Sequence, residues 1–132
     1  MARLNQVYIR NADASSHRLY NNTGATLYQG ELTVLGRLVV VANEEVANGA
    51  IGGFDSQDGK IIQTDDLKAG ENTFGTNNQN VYLYPTTGQL SDTATVGYML
   101  IGQLTAGGTK SAAGVIEFVA RRWADEIESD ET

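Results

Sequence analysis

Residues 30–54 read GELTVLGRLVVVANEEVANGAIGGF, and how this stretch folds decides the architecture of the chain. Leu32 and Val34 alternate with Glu31 and Thr33, Gly36 interrupts, and Leu38, Val39, Val40 and Val41 follow as one aliphatic run. β-Branched residues between glycines favour a pleated strand, where a branched side chain loses less freedom than against a helical turn. The polar, glycine-containing NEEVANGA then turns the chain, and residues 51–54 begin the next strand. A central β-hairpin is therefore the predicted anchor.

Working outward, Asn21, Asn22, Thr23 and Gly24 form a turn cluster, and ATLYQ (25–29) reads as a short strand feeding the hairpin. On the other side, DSQDGK (55–60) puts Asp-Gly, a dipeptide that tolerates positive φ, at the tip of a turn, and Ile61 and Ile62 resume a strand. NVYLY (80–84) alternates and is closed by Pro85 and Gly88. GYMLIGQLT (97–105) and GVIEFVARR (114–122) read as two further strands separated by AGGTKSAA. Seven to eight short strands at near-regular spacing predict an all-β barrel or sandwich. Only residues 123–128 hint at an amphipathic helix. Residues 65–80 are the longest stretch without a pattern, with Leu67 and Phe74 as its plausible anchors, and loops of that length are usually functional or mobile.

The predicted organisation is an extended N-terminal arm over residues 1–20, a β domain over 21–124 and an acidic tail over 125–132. In the arm, Val7, Tyr8 and Ile9 are a lone apolar triplet followed by Arg10. Such a triplet is too small to hold a core, but it can add a strand to an exposed sheet edge on a neighbour, where backbone pairing gives affinity. The competing reading makes it the first strand of the domain.

With 132 residues the chain is about one domain, large enough to bury roughly two-thirds of its unfolded surface. It has no cysteine, so neither a disulfide framework nor a thiolate zinc site is open to it. No stretch approaches the ~20 apolar residues of a membrane-spanning helix, and no signal peptide is recognisable. The lack of such a run makes a membrane an unexpected partner, and the net charge of −7, which repels a phosphate backbone, does the same for nucleic acid. Much of that charge sits in Asp125, Glu126, Glu128, Asp130 and Glu131.

Tests for chemistry find little. His17 is the only histidine and has no second ligand at a metal spacing, which favours a solvated role. No nucleophile elbow or phosphate-cradling glycine motif is present. Asp55, Asp58, Asp65 and Asp66 fall within one loop-strand-loop unit, but their spacing does not match an EF-hand and solvated turn residues are the expectation. Tyr82, Tyr84 and Tyr98, with Trp123, fit either a ligand-stacking platform or, the favoured reading, packing and subunit contact, for which Tyr82, Tyr84 and Trp123 are the candidates. The residues alone predict a non-enzymatic module with no cofactor and no metal.

The succession of features resembles the bacteriophage capsid decoration (cement) proteins. The similar features are the early polar arm, the Gly-led valine-rich strand (30–42), the acidic glycine-containing turn and the 51–54 strand. They continue in NVYLYPTTGQLS (80–91), a strand containing Ile101 and Gly102, and a final GVIEFV (114–119). The resemblance covers most of residues 24–122. The polar insertion at 65–80 and the acidic tail depart from the family's pattern. The resemblance implies a β-barrel or β-tulip-like subunit that self-associates, as a trimer, on the outer surface of an assembled phage head. Its partner would be the major capsid protein, its location the virion, and Val7, Tyr8, Ile9 and Arg10 its capsid contact. The alternative is a head-fibre or adhesin-like β domain that binds host-surface glycans.

Overall fold

The computed structural model describes residues 16–111 and 114–128. Within them the protein is all-β and contains no helix. Nine strands follow in order: β1 (Ser16–Tyr20), β2 (Leu32–Leu35), β3 (Leu38–Ala42), β4 (Ile51–Ser56), β5 (Ile61–Thr64), β6 (Asn80–Tyr84), β7 (Gln89–Ser91), β8 (Met99–Leu104) and β9 (Ile116–Glu126).

The expected hairpin around residues 43–50 is present as β3–β4, but residues 30–42, expected as one strand, are themselves folded into a hairpin, β2–β3. Leu35 opposes Leu38 across a two-residue loop of Gly36 and Arg37, and Gly36 has φ 64°, the sign that a type II′ turn needs at its first central position. The valine run is continuous because β3 is buried on both faces. Val39 enters the larger core with Val81, Leu90, Ile101, Leu104, Ile116 and Phe118. Val40 and Ala42 point the other way, into a second core with Leu27, Leu35, Val46 and Phe54. A strand with apolar surroundings on both sides has no reason to alternate.

β4 pairs with the β3 edge at Val40–Ala42, and β1 pairs with the far edge of β4. The long strand β9 joins this half of the sheet to the other. One of its edges carries β8; along the other, Ile116 to Val119 pair with β5, after which Trp123 opposes Leu38 of β3. The strand order is β1-β4-β3-β9-β8-β6-β7, with β2 on β3 and β5 on β9. All strand pairings are antiparallel.

This sheet does not close, which corrects the barrel expectation. β1 and β7 stand at its two ends, and the end at β7 is covered by the 65–79 loop instead of by another strand. Lys68 N–H donates to the Leu90 carbonyl at 2.7 Å, and Leu90 N–H donates to the Asp66 carbonyl at 2.9 Å. Covering an edge with a loop satisfies its backbone without ring closure.

Three boundaries also differ from expectation. Residues 16–20, assigned to the arm, form strand β1, because the free edge of β4 pairs with them along their whole length, from Ser16–Asp55 to Tyr20–Ile51. Residues 123–126, read as possible helix or tail, continue β9, and the Trp123–Leu38 pair and the Ala124 N–H bond to the Arg37 carbonyl hold them extended. ATLYQ contributes only an isolated bridge, Leu27 with Val46.

Candidate functional site

Of the predicted aromatic platform, the structure brings together Tyr82, Tyr84 and Tyr98 and leaves Trp123 apart. Tyr82 and Tyr98 are buried in a small cluster with Ile127, against which Tyr84 and Leu100 pack. The Tyr84 and Tyr98 rings lie 5.2 Å apart, tilted by 42°, a favourable off-parallel geometry. Tyr82 is enclosed by its own subunit, so of the three candidate contact residues Tyr84 is partly open and only Trp123 is widely exposed. Trp123 stands on β9 with the Arg37 guanidinium 5.9 Å from its ring centre. Arg37 also pairs with Asp125, as does Arg121 at 3.2 Å. Val7, Tyr8, Ile9 and Arg10 lie outside the described residues.

Next to the tyrosines is a polar cluster that sequence reasoning missed. Glu71 accepts from the Lys68 ammonium, from Ser91 Oγ at 2.7 Å and from the Tyr98 hydroxyl at 3.4 Å. The Lys68 ammonium lies 5.0 Å from the Tyr84 ring centre, within cation–π range. The bond from Lys68, then that from Ser91, holds the Glu71 carboxyl below the usual carboxylate range. The same ion pair raises Lys68, and burial, reinforced by Glu71, raises the Tyr98 phenol. Ser91 is fully buried, so no substrate reaches its hydroxyl; chemically the cluster fixes the 65–79 loop to β7. The legible signal was the opposite-charge pair Lys68 and Glu71, three residues apart in an otherwise unpatterned stretch.

The carboxylates Asp55, Asp58, Asp65 and Asp66 do not gather. No group of three or more potential ligands that could hold a metal ion occurs among the described residues. His17 is exposed on β1, opposite Phe54 in register.

Two surface features remain. The first is exposed apolar surface. Tyr20 and Ile51 oppose each other across β1 and β4, at 55% and 60% exposure. Ile61, at 64%, opposes Val119 across β5 and β9, and Trp123 follows on the same strand at 53%. The second is a cleft of about 400 Å³ between β2 and the turn after β6. Leu32, Val34, Leu83 and Met99 supply its apolar wall, residues 85–88 its lip, and Glu31 and Glu126 its carboxylates. Along that wall β2 has no strand partner among the described residues beyond β3.

Compared with known proteins, the chain matches no family model, no curated protein and no solved structure.

Proposed function

We propose that this protein is a non-enzymatic capsid decoration protein, which binds the outer surface of an assembled phage head as a homo-oligomer, a trimer, and stabilises the shell against the pressure of packaged DNA. The observation that carries this reading beyond the resemblance is the exposed apolar surface. Tyr20 and Ile51 sit side by side at one end of the sheet, and Ile61 and Trp123 lie on another strand pair, each more than half exposed. Large apolar side chains left outside a formed core mark surface that associates. Every described buried side-chain polar atom has a partner, as suits a scaffold built to hold its shape.

The physical logic is linkage. A protein that binds only the assembled, expanded shell stabilises that state by mass action. A trimer engages three sites together, so modest single contacts sum to slow release. The major capsid protein is the partner, and the work is done on the virion surface. Glycan binding draws less support, because the clustered tyrosines pack inward and the cleft has no aromatic face to stack a sugar.

Mixing the purified protein with undecorated heads and imaging them tests the proposal. Ordered density at symmetric surface positions is expected. Bare heads at saturating protein, with binding on a glycan array, would overturn it in favour of the adhesin-like reading.

A further inference from the structure

In the β2–β3 hairpin, the closing pair Leu35–Leu38 is hydrogen-bonded across the loop, so the pairs alternate from there. Thr33 bonds inward to β3, whereas the N–H and C=O groups of Leu32 and Val34 point away from it. The partner strand confirms the alternation: the Val39 carbonyl, opposite Val34, faces away from β2 and accepts from Gln57 N–H at 2.9 Å. The outward edge of β2 thus presents backbone groups to the cleft. At Leu32 the cleft is pinched, since a Cβ placed on Gly88 would stand 3.9 Å from the Leu32 carbonyl oxygen. Only the Val34 end is open.

The open end has a definite chemistry. Leu83, Met99 and Val34 give it an apolar wall, and Glu31 and Glu126 give it negative charge. A neighbouring recess adds Asp125 and Glu128, against Arg37 alone. Its complement is a short extended segment carrying apolar and basic side chains. Residues 1–12 of this chain have that composition: Val7 and Ile9 fall on one face of an extended strand, Arg3 and Arg10 are the charged residues, and no carboxylate precedes Asp13.

We propose that residues 7–10 of a second copy dock at the Val34 end of this cleft, pairing with the free backbone of Val34 and setting Arg10 against Glu126. To reach the donor's own cleft the arm would have to cross the face of both β4 and β3. Ser16, where the arm leaves the sheet, is in register with Asp55, then Val41, then Leu32, three strand spacings or about 14 Å from β2, with β4 and β3 between. The six residues from Arg10 to Ser16 reach up to ~20 Å when extended, so the accepting cleft must lie close beside the donor's β1. A head-to-tail exchange of this kind, repeated around an axis, closes a ring. The inference rests on the self-association in the proposed function, and moves the arm from the capsid to a neighbouring subunit.

Charge exchange in the full-length protein tests it. Arg10→Glu and Glu126→Arg should each weaken self-association about tenfold or more by light scattering over a concentration series, and the double variant should restore it. Because the chain has no cysteine, Arg10→Cys with Thr86→Cys, on the lip of the cleft, should give disulfide-linked oligomers on a non-reducing gel. Unchanged association in the single variants, or no restoration in the double, overturns the docking. Links formed only within one chain overturn the second copy. A parent protein that is monomeric at every concentration, free and on heads, overturns the self-association itself.

Discussion

Gly102 shows how a single residue fixes the way the two halves of the sheet meet. Around Ile101 the ladder slips on both sides of β8: the pairing with β6 shifts between Val81 and Tyr82, and that with β9 shifts between Leu100 and Gly102. At this irregularity β9 comes so close that a Cβ on Gly102 would collide with the Val119 carbonyl and stand 2.8 Å from Phe118 Cδ2. The obstacle is backbone on one side and a fully buried ring on the other, so neither can step aside. Gly102→Ala is expected to lower stability by about 1–3 kcal/mol, the usual range for overpacking, read from urea denaturation. Gly75→Ala is the control, since Gly75, like Gly102, has no positive φ and a Cβ added to it meets nothing.

Glu71 belongs to the same scale. Its carboxyl titrates below its ordinary value of 4.5 in the folded protein because Lys68 and Ser91 bond to the ionised form. A group with a depressed folded pKa contributes stability that is present above the unfolded pKa and lost as pH falls through the folded one. Stability should therefore decline as pH drops below about 4.5, and Glu71→Gln should flatten that decline while lowering stability at pH 7. Parallel denaturant curves at pH 7 and pH 3.5 separate the two effects. Equal pH dependence in parent and variant would remove Glu71 from the account.

Among the elements, the 65–79 loop is the most instructive. It has no strand, yet it is held at both ends of β7 and by Phe74, which is 1% exposed and sits in the main core. Thr73 N–H donates to Asp92 Oδ2 at 2.8 Å, and Lys110 N–H donates to the Phe74 carbonyl at 2.7 Å. Phe74→Ala is expected to cost about 3–5 kcal/mol, like other buried aromatic truncations, with a matching fall in thermal midpoint. A loss under 1 kcal/mol would mean the loop folds independently of the core.

Strands were legible where local pattern and burial agree: the valine run of β3, the alternating NVYLY of β6 and the glycine turns between them. Phe74 and Leu67 were visible as anchors because they were the only large apolar side chains in a polar stretch. β7 was not legible, because its Gln89, Leu90 and Ser91 owe their strand to partners on β6 and in the loop, not to any periodicity of their own. The last residues of β9 misled for the same reason: Trp123 and Ala124 are extended by pairing with Leu38 and Arg37, distant in sequence. The cleft beside β2 was invisible for a stronger reason, since Val34, Leu83, Met99 and Glu126 meet only through topology.

At the scale of the whole molecule, the tyrosines and the tryptophan divide between the enclosed interior of the subunit and its exposed surface. Tyr82 is 7% exposed in the cluster with Tyr98 and Ile127, whereas Trp123 is 53% exposed on β9, where its described neighbours are the surface charges Arg37, Arg121 and Asp125. Exposed ion pairs of that kind add little to stability, and what Trp123 gives the fold is its backbone pairing with Leu38, which a change of side chain leaves in place. Trp123→Ser should shift the stability by no more than about 0.5 kcal/mol, as surface substitutions do, while raising the concentration needed for self-association. Tyr82→Ala should do the reverse, lowering the thermal midpoint because it empties part of a closed cluster, with association lost only as far as the fold is lost. Thermal melts and light scattering on the two variants decide the matter together. If Trp123→Ser melts early, the ring belongs to the core; if it melts normally and associates like the parent, the ring takes no part in self-association.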